Sequence, residues 1–322
     1  MTPRVLVLGG TGFVGTALCE RLQRAGVQVT VPTRRRRAAQ HLLPMPGVLP
    51  VEADVHEAAA LARLLPGHDA VVNLVAILHG SETAFERVHA ALPRALAAAC
   101  AQTGVRRLVH VSALGASAQG PSRYQRSKAR GEALLWEAAR AGQIDLTVLR
   151  PSVIFGAGDR FLNLFARLQK PLPVMALAGA EARLQPVWVG DVAQAILRCL
   201  QDDATIGQTY ELAGPGVWTL RQLVQAAGRW SGVRGGRGRP VIGLPPALGR
   251  LQAAALELLP GPPLMSRDNL DSLRVDNVAS GALPGLQALG IQPAPLPPIA
   301  MRFLGEASEQ ALLDGYRRTA GR

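Results

Sequence analysis

In RVLVLGGTGFVGTALCERL, residues 4–22, a run of β-formers meets three glycines at a spacing of three and then a helical pattern. Residues 4–9 read as a buried strand that a glycine ends. From Phe13 the period changes: Val14, Leu18, Leu22 and Ala25 share one helical stripe, which Gly26 closes. Gly9 stands where the chain must turn sharply, Gly12 lets backbone approach a ligand, and Gly15 lets the helix pack close on the strand. The free N–H groups and positive end of such a helix suit a pyrophosphate. With Thr11, Phe13 and Val14, the three glycines form a candidate phosphate cradle. A tight strand-to-helix turn without a ligand is the alternative reading.

The alternation continues. Residues 27–31, 47–54, 68–76, 106–112 and 144–151 read as strands, separated by helical runs at 56–65, 85–103 and 124–139. Strands separated by helices need crossover connections, which give a parallel sheet covered on both faces. The predicted fold is α/β: a doubly wound parallel sheet (Rossmann fold) in a dinucleotide-binding domain over 1–155. A smaller, mostly helical C-terminal substrate domain is expected over 156–322, proline-rich from about 283. Within it, a helix is expected near Asp191 and another from Thr219, both good N-caps. The apolar positions of 244–261 serve either the small domain's core or, as an amphipathic helix, a membrane or quinone-like substrate.

A chain of 322 residues that is 48% hydrophobic can bury a large core, and its apolar stretches are too short and interrupted to span a bilayer. The first residues read as a strand rather than a signal peptide, which points to a cytoplasmic protein. Three well-separated cysteines, Cys19, Cys100 and Cys199, fit buried reduced thiols and show no metal-ligand spacing. The net charge of +12 is almost all arginine, with Lys128 and Lys170 the only lysines. Nucleic-acid binding is disfavoured, because aromatics are scarce and not interleaved with the basic residues. Two clusters stand out, Arg34–Arg37 and the arginines of RGGRGR at 234–239. The second reads as a solvated loop or as a docking element.

Cofactor choice is written where the second strand ends. A carboxylate there grips ribose hydroxyls and favours NAD. Here VTVPTRRRR (29–37) has none, and guanidinium forks match a phosphate. NADP(H) is therefore favoured over NAD(H), with Arg34 and Arg35 on the 2′-phosphate; NAD, or no preference, stays open. Asp54 is a candidate acceptor for the adenine amine or else a helix cap. Val55, Val75 and Ala76 complete the candidate set at the ends of the third and fourth strands. Further on, YQRSK places Tyr124 and Lys128 four apart on one helix face. An ammonium beside a phenol favours phenolate, so the pair can exchange a proton with an alcohol or carbonyl.

GGTGFVG (9–15), HVSALGA (110–116), YQRSK (124–128), LRPSVIFGAGDRFLN (149–163) and QPVWVGDVA (185–193) together resemble the short-chain dehydrogenase/reductase superfamily, of the extended or atypical, epimerase/dehydratase-like kind. Within it, SRYQRSKARGE and RPSVIFGAGDRFLN look most like the nucleotide-binding accessory subunit of respiratory complex I and its bacterial relatives. The resemblance implies bound NADP(H), a Tyr124–Lys128 pair near nicotinamide with Lys128 also on its ribose, and a nicotinamide end lined by Pro151 and Val153. It also implies a hydroxyl holding the substrate oxygen. Ser112 is the candidate, although the family's working hydroxyl often sits one position later, where this chain has Ala113; Ser117 and Ser122 are alternatives. Two functions follow from the resemblance. One is an oxidoreductase acting on a carbonyl, alcohol or quinone-type substrate. The other is an accessory or assembly protein of a respiratory complex or of quinone metabolism, peripheral at the inner face of a membrane.

Overall fold

The computed structural model describes residues 2–258, 261 and 263–305. The chain divides into two compact units; the first holds residues up to Pro151, Gly190–Leu212 and Ala279–Gln292. Its elements run β1 (Arg4–Leu8), α1 (Phe13–Arg24), β2 (Gln28–Thr33), β3 (Val48–Glu52), α2 (Ala58–Leu64), β4 (Ala70–Asn73), α3 (Glu82–Glu86), α4 (Leu92–Thr103), β5 (Arg107–Val111), α5 (Arg123–Arg140) and β6 (Asp145–Pro151). A single π-helical turn, Arg87–Ala91, joins α3 to α4. The helix Val189–Gln201 precedes a seventh strand, β7 (Thr209–Leu212).

These strands form one sheet in the order β7-β6-β5-β4-β1-β2-β3, with every pairing parallel. The expected doubly wound sheet is present, with β7 one strand more than the sequence pattern supplies. Leu6, Val7, Val72, Leu108 and Val109 are fully buried, which is why these strands are uninterrupted apolar runs. From β1 the chain winds out through β2 to β3 and then returns to β4 on β1's other side. The switch point therefore lies between β1 and β4, where ligands bind in open α/β sheets. The three cysteines are free and buried, and burial pushes their thiols up to about 12 (Cys19, Cys100) and about 11 (Cys199), so they are unreactive.

The second unit takes Ser152–Val189, Ala213–Val278 and the chain from Pro293. Phe155, Leu177, Leu220, Leu223, Val224 and Ala300 belong to its core. The expected Thr219 cap is there: its hydroxyl accepts from the Gln222 amide and Gln222 reaches back, a capping box that starts the helix Leu220–Trp230. Short strands pair as Ile154–Phe155 with Val187–Trp188 and as Met175–Ala178 with Val241–Leu244. One expectation fails as a core assignment. In the helix Pro246–Glu257 only Gly249 and Ala253 are buried, while Leu248 and Leu251 are 52% and 67% exposed. The small residues form the inward face, and a Cβ on Gly249 would meet Ala178 Cβ at 2.8 Å, so the leucines point outward. No helix among the described residues is long and apolar enough to cross a membrane.

Candidate functional site

The glycines after β1 each answer a different packing demand. Gly9 adopts φ +83°, the left-handed region, and its carbonyl accepts from the Gly12 amide at 3.1 Å. A Cβ on Gly10 would lie 2.7 Å from Val31 Cγ2, and one on Gly15 would collide with the Gly9 carbonyl oxygen and the Gly10 Cα. Gly12 is the N-cap of α1 and offers no side chain to it, and the first intrahelical bond runs from the Thr16 amide to the Gly12 carbonyl at 2.8 Å. The amides of Phe13, Val14 and Gly15 are thus left for an external acceptor. Thr11, Phe13 and Val14 flank them, half-buried.

Arg34 and Arg35 follow β2 directly, exposed and in no ion pair among the described residues, whereas neighbouring Arg36 reaches Glu52 at 3.4 Å. Asp54, after β3, accepts from the His56 amide at 3.0 Å and lies 4.0 Å from Arg87. That turn delays α2 to Ala58, two residues later than the predicted run. Burial lowers the His56 pKa against the opposing Asp54 carboxylate, and the Arg87 and Arg34 guanidiniums add to the lowering. After β4 the Val75 amide donates to Asn73 Oδ1 at 3.1 Å, Ala76 is exposed, and Val55 and Val75 pack on the first unit's core. A Cβ on Gly9 would sit 3.3 Å from the Val75 nitrogen, which places this loop beside the cradle. The carboxyl ends of β1 to β4 thus gather these candidates.

The start of α5 is fixed by a second capping box, Ser122 with Gln125. Tyr124 and Lys128 follow one turn apart. Lys128 is 2% exposed and its Nζ donates to the Val111 carbonyl at 2.9 Å, on the last residue of β5. Burial brings its pKa down to about 8, with Glu132 opposing. The Tyr124 phenol is pushed up to about 12 by burial. The shift is set by burial and runs opposite to the acidification that the i,i+4 spacing predicts. Ser112, next after β5, donates its amide to the Leu149 carbonyl at 2.7 Å, yet its buried hydroxyl has no hydrogen-bond partner. The alternatives are occupied locally: Ser122 Oγ caps α5, and Ser117 Oγ accepts from the Gln119 amide at 3.2 Å. Ala113 is buried. Pro151 closes β6 and accepts from the Leu114 amide at 2.9 Å; Val153 belongs to the second unit, where its amide donates to Asn277 Oδ1 at 3.2 Å.

Two buried histidines do not stand out in the sequence. His89, in the π-helical turn, accepts from the Ile77 amide at Nε2 (3.1 Å), so its ring proton sits on Nδ1 and is donated to Ser127 Oγ (2.8 Å). Ser127 Oγ donates in turn to the Tyr124 carbonyl at 2.8 Å. The His89 ring also stands edge-on to the Tyr124 ring, 5.6 Å between centroids. Burial, then the Lys128 and Arg130 charges, bring its pKa down to about 3, which keeps it neutral. His110 in β5 accepts from Asn73 Nδ2 at 3.2 Å and is likewise held neutral by burial. A histidine inside an apolar strand (LVHVS) and another on the buried side of a helix are the only signals the sequence gives of them.

An uncapped helix end, a cradle that one methyl group would fill, and an unbonded buried hydroxyl all fit a dinucleotide. A model of the NAD dependent epimerase/dehydratase family matches residues 5–213. The chain belongs to this family. Among curated relatives, NADH dehydrogenase (ubiquinone) 1 alpha subcomplex subunit 9, mitochondrial, of Mus musculus is 33% identical over 303 residues, 90% of this chain and 76% of the relative. Its Arabidopsis thaliana counterpart is 30% identical, over 92% of this chain and 76% of the relative. UDP-glucose 4-epimerase of Thermus thermophilus, solved in complex with NAD, shares the fold at a TM-score of 0.63 and 24% identity, covering 84% of this chain and 99% of its own. As an epimerase/dehydratase-family protein, the chain presents its glycine turn, β2 end and Tyr–Lys helix within the matched span.

Proposed function

We propose that this protein binds NADP(H) at the carboxyl ends of β1 to β5 and serves as a nucleotide-stabilised accessory component of a respiratory membrane complex. The observation that carries the binding is the cradle: three unbonded amides at the head of α1, with Gly15 pressed on the Gly9 carbonyl so that the backbone itself forms the site. Gly9, Thr11, Gly12, Phe13, Val14 and Gly15 hold the pyrophosphate, and Arg34 and Arg35 take the 2′-phosphate. Asp54, Val55, Val75 and Ala76 line the adenosine side, while Lys128 and Pro151 serve the nicotinamide end. When bound, the cofactor supplies hydride exchange. The accessory role is supported by relatives named as complex I subunits and by the outward leucines of the helix Pro246–Glu257. Peripheral attachment at the inner face of a membrane follows from that role.

A second reading, an oxidoreductase on a carbonyl, alcohol or quinone-type substrate, is favoured by one observation: the Ser112 hydroxyl is buried without a partner. In that reading Ser112 holds the substrate oxygen and Tyr124 exchanges a proton with it. The readings separate in one experiment. NADPH oxidation is screened over ketones and quinones with the protein and Tyr124→Phe, beside NADPH-dependent thermal shift and membrane co-purification. Thermal stabilisation and co-purification without turnover support the accessory role. Turnover abolished by Tyr124→Phe, with cofactor binding retained, establishes the oxidoreductase instead. No shift with NADPH would sink both.

A further inference from the structure

Between Glu211 and Glu257 the chain has no acidic residue and six arginines. Two of the six find carboxylates: Arg221 bonds Glu181 at 2.7 Å and Arg250 bonds Asp271 at 3.0 Å. The other four, Arg229, Arg234, Arg237 and Arg239, line one open cavity of about 350 Å³ with Gln225, and none has an acidic partner among the described residues. Like charges gathered without a counter-charge repel one another. Solvation of a surface loop would let them splay apart, yet one of them is fastened. Arg239 Nε donates to the Gln169 carbonyl at 3.1 Å, its Nη2 to the Lys170 carbonyl at 3.3 Å, and its amide to Gln169 Oε1 at 2.9 Å.

The arginines are not needed to finish the preceding helix, Leu220–Trp230. The Gly232 and Val233 amides already take the Arg229 and Gly228 carbonyls at 3.2 Å each. The loop that follows is a succession of left-handed residues, Gly232, Gly235, Gly236 and Gly238, at φ between +64° and +81°. Arg234 sits among them at φ +53°, the only non-glycine at positive φ among the described residues. A glycine would occupy that position with less strain, so backbone geometry does not account for an arginine there.

We propose that this cavity is a binding site for a phosphate-bearing anion, a diphosphate or a phosphodiester headgroup. Guanidinium forks match phosphate oxygens in pairs, and four of them around one cavity offset more than a single charge. The volume falls at the small end of ligand sites, which span roughly 300–1,000 Å³. No aromatic side chain lines it, so base stacking with single-stranded nucleic acid has no platform.

The test uses the full chain. Inorganic pyrophosphate is titrated calorimetrically at constant ionic strength, and vesicles of phosphatidylglycerol with phosphatidylcholine are sedimented against phosphatidylcholine alone. Saturable binding to either probe is expected, weakened roughly tenfold or more in Arg234→Ala/Arg237→Ala and unchanged in Arg94→Ala, an exposed arginine elsewhere. Only the pyrophosphate binding that the double variant loses is assigned to this cavity; what remains belongs to the cradle at α1. Binding to pyrophosphate assigns a soluble phosphate compound; binding only to the anionic vesicles assigns a lipid headgroup. Arg234→Gly is the variant that cannot fail for want of folding: its melting temperature should hold or rise while binding falls. The proposal is overturned if neither probe exceeds chloride, if Arg94→Ala loses as much as the double variant, or if polyuridylate binds more tightly than pyrophosphate.

Discussion

At Gly15 one added methyl group would meet backbone on two sides, and neither the Gly9 carbonyl nor the Gly10 Cα can move away cheaply. Gly15→Ala should therefore lose about 1–3 kcal/mol to overpacking and lose NADPH binding with it, read from urea unfolding and calorimetry. Ser112 should behave in the opposite way. A buried hydroxyl without a partner costs about 1–3 kcal/mol, so Ser112→Ala should be at least as stable as the parent without ligand. If the hydroxyl meets cofactor or substrate, the same variant will gain less from NADPH. His89 sets a pH dependence. The unfolded chain takes up a proton near pH 6.5 that native His89 accepts only near 3. Stability therefore falls as pH drops through that interval, by about 1.36 kcal/mol for each pH unit. His110 is shifted the same way and adds to the slope. His89→Asn should flatten the decline between about pH 7 and about pH 4.5, measured by denaturation midpoints.

Among elements, α5 carries the most consequence, because its capping box sets where Tyr124 and Lys128 stand. Ser122→Ala removes the cap and should cost about 1 kcal/mol in denaturant unfolding. Elements are legible in the sequence where one period runs unbroken: β1, α1, β5 and the Thr219-capped helix lie where apolar spacing and caps put them. They are obscured where a local bond competes with the period. Asp54 ties up the His56 amide and starts α2 late; β7 is only four residues long, too short to show a period of its own. The π-helical turn is hidden for a different reason. Phe85, Val88, Leu92 and Leu96 keep helical spacing through it, so nothing in the pattern marks the wider turn that brings His89 to Ser127. Gly131 is its counterpart on α5, since a Cβ there would strike the His89 carbonyl oxygen. The sequence shows a glycine in a helix but not what presses against it.

For the molecule as a whole, a ligand that binds only the native state raises stability by mass action, by about 2.7 kcal/mol at a concentration of 100 Kd. NADPH should therefore raise the melting temperature. Arg34→Ala should weaken NADPH tenfold or more while leaving NADH little changed; equal losses would remove Arg34 from the 2′-phosphate. The second unit is the harder half to read, because glycine-rich and proline-rich segments carry no period and small residues, rather than leucines, form the inward face of Pro246–Glu257. The first unit offers its own gauge of wholeness. Ile77 lies in a loop, but its N–H is spent on His89, and His89 is held through Ser127 to the backbone of α5. Its proton can be traded for deuterium only after that buried ring lets go. In heavy water this one loop amide should therefore exchange on the timescale of the sheet, not of its exposed neighbours, making it a clock for the opening of the entire unit.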